Sequence, residues 1–113
     1  MRHVLLGMCV CLLAGCSTYS GIQSKPPAHA ADSALAPQQV AECVAKKWMD
    51  FNSTTHVTTD GDTRVVVMPT GGIGAEAVMT TFTATPMGTG SRVEMRTTLG
   101  NMNSLWEKAQ TCI

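Results

Sequence analysis

The sequence predicts a small α+β domain in the order α-β-β-β-α, a three-stranded antiparallel sheet with two helices on one face. Three observations predict it. Apolar residues recur at helical spacing between residues 37 and 51. Three β-type runs follow between 63 and 99, joined by short Gly- and Pro-containing links. A second short run of helical period ends the chain at 104–113.

The first helix is read from "PQQVAECVAKKWMDF", residues 37–51. Pro37 suits a first helical turn, where its missing N–H is no loss. Val40, Cys43, Val44, Trp48 and Phe51 fall on one face, while Gln38, Glu42, Lys46 and Asp50 take the others. Asn52 to Thr59 is polar and reads as a loop or weak strand.

"TRVVVMP", residues 63–69, is β-branched and stopped by Pro69. "TGGIGA", 70–75, reads as a turn. It lacks the Lys-Ser/Thr ending of a phosphate loop and precedes a strand-like segment. "EAVMTTFTAT", 76–85, has strand composition, with Val78, Thr80 and Phe82 to one side, and "PMGTG", 86–90, is a turn. "SRVEMRTTL", 91–99, alternates cleanly: Val93, Met95, Thr97 and Leu99 face one way, Arg92, Glu94, Arg96 and Thr98 the other. Such short links favour an antiparallel meander with one covered and one wet face. "SLWE", 104–107, fits a capping box opening the last helix, with Leu105, Ala109 and Cys112 or Ile113 toward the core.

The chain before this domain has a different character. Met1-Arg2-His3 is a short basic start, and Val4 to Ala14 is nearly all apolar. That run is about ten residues, against the roughly 20 needed to span a bilayer. Basic start, short apolar run and small residues together describe a secretory signal peptide. Its end, Leu13-Ala14-Gly15-Cys16, resembles the lipobox of bacterial lipoproteins. The resemblance implies cleavage before Cys16 and lipidation of that residue with diacylglycerol and an N-linked acyl chain such as palmitate. Each buried CH₂ adds about 0.8 kcal/mol, and one chain alone holds only marginally, so multiple acylation makes a lasting anchor. Ser17 and Thr18, rather than aspartate, follow the cysteine, which in that family implies the outer membrane, with the domain facing the periplasm.

Residues 1–15 thus read as signal peptide, 16–36 as a lipidated tether, and 37–113 as the domain. The tether, Ser-, Ala- and Pro-rich and without apolar period, has an expected end-to-end distance of roughly 25 Å. His29 within it reads as a solvated loop residue. Cys9 and Cys11 leave with the signal as apolar filler. Of five cysteines, one becomes the lipid site, and Cys43 and Cys112 remain. Both stand on the apolar sides of their helices and would meet an oxidising compartment. They are expected to pair, closing a loop of about 70 residues for roughly 4 kcal/mol. Two buried thiols are the alternative. A domain of this size gains much from such a staple.

Loss of Arg2 reduces eight basic residues to seven against eight acidic ones, which excludes general attraction to nucleic acid or anionic lipid. His56 with Asp60 and Asp62 could imitate a metal or catalytic group, but a metal needs at least three convergent ligands. Met49, Met68, Met79, Met87, Met95 and Met102 are too dispersed for a copper(I) motif and read as packing residues. Asn52-Ser53-Thr54 matches a glycosylation sequon, uninformative beside a bacterial lipobox. No catalytic constellation is spelled locally, so neither an enzyme nor a cofactor is expected. Arg92, Glu94 and Arg96 form the most regular charged row, either a solvated sheet face or a docking face for a protein partner. An exposed edge strand could instead recruit a partner by β-addition.

The expected function is a structural or protein-interaction module of the cell envelope, held to the outer membrane through Cys16. The alternative is a lipoprotein inhibitor or immunity protein against a wall-degrading or toxin enzyme. The β-barrel of small lysozyme-inhibitor lipoproteins needs more strands than the three counted here.

Overall fold

The computed structural model describes residues 19–69, 78–98, 100 and 102–113. The lipobox, the 70–75 turn and Leu99 lie outside the described residues. The elements are α1 (Tyr19–Gln23), β1 (His29–Ser33), α2 (Pro37–Trp48), β2 (His56–Asp60), β3 (Thr63–Pro69), β4 (Val78–Met87), β5 (Gly90–Thr97) and α3 (Asn103–Gln110).

The expected three-stranded sheet is corrected to five strands, all antiparallel, in the order β1-β5-β4-β3-β2, with three helices. The three expected strands form its centre as a meander. The two additional strands flank it. β2 comes from the polar stretch after α2, folded back on β3 by a two-residue turn at Gly61-Asp62. β1 comes from the segment read as tether, pairing His29 with Met95 and Ser33 with Ser91. Among the described residues the sheet is open, with β1 and β2 at its edges.

Gly61 and Gly88 begin the β2–β3 and β4–β5 turns with φ of +60°. A two-residue turn with glycine first and only that residue at positive φ is the II′ pattern, whose twist matches the flanking strands. Gly90 has a different duty. A Cβ there would meet the Ser33 carbonyl oxygen at 2.1 Å. Gly90→Ala is therefore expected to push β1 off β5, at about 1–3 kcal/mol. Faster hydrogen exchange in 29–33 than in β3 would check this; equal protection of β1 in both proteins would contradict it.

Partners across the ladder share a face. On one face stand Val66, Met68, Phe82, Ala84, Val93 and Met95, buried under α2 and α3. Placing both of these helices on one face was expected and is observed. Trp48, fully buried, meets Phe82 edge-on at 6.1 Å and donates its indole N–H to the Leu105 carbonyl at 3.1 Å. Trp106 tilts against Phe82 at 6.5 Å and stacks on His29 at 5.0 Å. His29 is thus a strand residue in ring contact, not a solvated loop residue.

The opposite face was expected to be wet. Part of it is covered: Ile22 of α1 packs on Val65 and Val67, and Gln23 accepts a hydrogen bond from Thr81 at 2.8 Å. Two local expectations also change. Phe51 lies beyond the end of α2 in a turn and is 57% exposed. α3 starts from Met102 at φ 45°, so Ser104 sits inside the helix and is not its cap.

Candidate functional site

Cys43 on α2 and Cys112 just past α3 form a disulfide, with Cα atoms 5.8 Å apart and a sequence separation of 69. The paired apolar sides of the two helices bring the sulfurs together: Cys112 is buried, and Cys43 packs at the margin of the same core. The bond fastens two helices that share one core, where Trp48 also donates to the Leu105 carbonyl.

The charged row lies on β5, between β4 and β1, on the face opposite α2 and α3. Its charges are met within the fold. Arg92 pairs with Asp32 of β1 at 3.0 Å, with both side chains largely in water. Arg96 lies 3.7 Å from Glu94 and donates to the Lys25 carbonyl at 2.8 Å. An exposed pair such as Arg92–Asp32 contributes at most about 1 kcal/mol. That pair ties β1 to β5, and the Arg96 bond to the Lys25 carbonyl ties the preceding segment to it.

A groove of about 690 Å³ runs between α2 and β2. Cys43, Ala45, Met49 and Val57 supply apolar surface, with Gln39, Glu42 and Lys46 also lining it. Met49 and Val57 are exposed, as is nearby Phe51. Beside it, β2 pairs with β3 alone among the described strands, and all five of its residues are exposed. In an antiparallel hairpin closed at Asp60–Thr63, hydrogen-bonded and non-bonded pairs alternate. Val57 and Thr59 therefore direct their backbone N–H and C=O away from β3. Sequence reasoning did not find this groove. Its signal was Val57, the lone apolar residue of "HVTTD", and Met49, one step beside the stripe of α2.

His56 is exposed, with Nδ1 3.0 Å from the Thr54 carbonyl oxygen. Among the described residues no three His, Cys, Asp or Glu side chains gather as a metal site, and no helix is long and apolar enough to cross a membrane. Met68 and Met95 are core residues, whereas Met49 and Met87 are exposed. Asn52 is used structurally, donating to the Pro69 carbonyl at 2.8 Å. The described residues thus present an open antiparallel sheet with a disulfide-joined helix pair and an apolar groove beside the β2 edge. No protein-family model, curated protein or solved structure matches the chain.

Proposed function

We propose that this chain is a lipoprotein of the bacterial outer membrane, anchored through Cys16, that binds a protein of the cell envelope by accepting an extended segment at the free edge of β2. The observation that carries the reading is the lipobox Leu13-Ala14-Gly15-Cys16 ending a short apolar run. The Cys43–Cys112 disulfide agrees with an oxidising destination such as the periplasm. The groove beside β2 supports the mode of binding. A strand added to β2 would hydrogen-bond to Val57 and Thr59, and its alternate side chains would lie over Ala45 and Met49. The reading needs no cofactor, nucleic acid or enzymatic step.

The test is a crosslinked pull-down of the full lipidated protein from envelopes, comparing wild type with Thr59→Pro and Arg92→Ala. Proline removes the outward N–H and is tolerated at an edge. The partner captured by wild type and Arg92→Ala should be lost with Thr59→Pro, while thermal unfolding of that variant stays near wild type. Equal capture by Thr59→Pro would overturn the β2 edge as the binding surface.

A further inference from the structure

We infer that the α1-bearing face of the sheet lies against the bilayer surface, with α2, α3 and the groove turned away from it. This rests on the lipid-anchor reading of Cys16 and adds an orientation to it.

The segment after Cys16 was expected to be a loose tether. From Ile22 onward it is fastened to the sheet. Ile22 is 1% exposed against Val65 and Val67. Gln23 holds Thr81, Arg96 holds the Lys25 carbonyl, and the Ala28 N–H donates to the Met95 carbonyl at 2.8 Å. β1 then pairs along β5. Three links separate Cys16 from Tyr19, at most about 11 Å when fully extended. The turn from Tyr19 to Ile22 adds about 4.5 Å of rise. Ile22, and the sheet face that it covers, therefore stays within about 15 Å of an acylated residue held at the headgroups. A free chain from Cys16 to His29 would instead reach about 45 Å and impose no orientation.

The occupant of this face is a lipid headgroup surface, because the chain that ends there carries the acyl groups. Contact is by apposition, not insertion. Among the described residues, the large exposed apolar side chains are Leu35, Met49, Phe51, Val57, Met87 and Ile113, none of them in the patch around Ile22, Val65 and Val67. Lys25, exposed beside α1, is placed near the headgroups. The outer side of α2 lies beyond both the sheet and a helix diameter of about 10 Å, so the free edge and groove remain open to a periplasmic protein.

The test uses the full lipoprotein purified from membranes and reconstituted into phosphatidylethanolamine–phosphatidylglycerol vesicles containing a headgroup-nitroxide lipid. A fluorophore is attached in turn through Lys25→Cys and Lys46→Cys, both exposed positions. Quenching should be several-fold stronger at position 25. Inserting a Gly/Ser linker of about 20 residues, roughly 25 Å in r.m.s. length, between Thr18 and Tyr19 should bring both positions to the same weak level. Equal quenching in the parent protein, or no effect of the linker, overturns the orientation. Flotation separates the two levels of the account: protein that does not float with the vesicles overturns anchor and orientation together, and floating protein with equal quenching overturns the orientation alone. Hydrogen exchange on the unsubstituted lipoprotein repeats the test without variants. Residues 19–28 should gain protection on vesicles relative to detergent, and α2 should not; equal change in both segments overturns the orientation.

Discussion

Replacing Cys43 and Cys112 together by alanine should lower the unfolding free energy by about 4 kcal/mol. The bond spans a sequence separation of 69 that runs from within α2 through β2, β3, β4 and β5 to the end of α3. Opening it frees the unfolded chain to occupy many more conformations. The loss is a large share of the 5–15 kcal/mol typical of whole domains. α3 should suffer first. It has eight residues and buries Leu105, Trp106 and Ala109, so its own packing area is small. Urea unfolding with and without dithiothreitol checks this. A much lower midpoint under reduction is expected, with α3 amides exchanging before those of β3 and β4. Identical midpoints would show that the helices hold without the bond.

Trp48→Ala is the second large effect, at about 3–5 kcal/mol. Trp48 fills the space between α2 and the sheet and touches Phe82 edge-on. Its indole N–H also donates to the Leu105 carbonyl at 3.1 Å, joining α2 to the start of α3. Trp48→Phe separates the two contributions. It keeps an aromatic ring but removes the donor, and should cost about 1–3 kcal/mol. Denaturant midpoints should therefore rank wild type above Trp48→Phe, and Trp48→Phe above Trp48→Ala. A Trp48→Phe protein as unstable as Trp48→Ala would assign the whole effect to the hydrogen bond.

The centre of this fold was legible because each central element carries its own pattern. Pro37 and the Val40, Val44, Trp48 stripe define α2 without reference to anything else. The alternation around Val93 and Met95 does the same for β5, and "TRVVVMP" for β3. The edges were not legible, because they are made by their neighbours. "HAADS" contains no β-branched residue and no Phe, Tyr or Trp, and becomes β1 only because β5 offers it an unpaired ladder. "HVTTD" has polar residues on both sides because β2 is exposed on both, so no alternation marks it. Phe51 misled by continuing the helical spacing three residues past the last turn of α2. Ile22 was a single apolar residue in a polar segment, and nothing local says that Val65 and Val67 await it.

The disulfide was readable for a different reason: the resemblance at Cys16 implies that Cys9 and Cys11 leave with the signal and that Cys16 is lipidated, and the helical spacing puts the remaining two, Cys43 and Cys112, on core-facing sides. The charged row was seen, but its partners were not. Asp32 and the Lys25 carbonyl belong to the segment read as tether, so the pairing of Arg92 and Arg96 depends on a strand the sequence does not announce. The groove depends on that same kind of context, since an open edge exists only once the sheet order is known.

The measurement closest to the central claim is the intact mass and N-terminal sequence of the protein isolated from membranes. The account predicts a chain that begins at Cys16 and carries a diacylglyceryl group on its sulfur and an acyl chain on its amino group. Globomycin should shift the population to the uncleaved precursor. A mature chain beginning at another residue, or one with Cys16 present as an unmodified thiol, would contradict it.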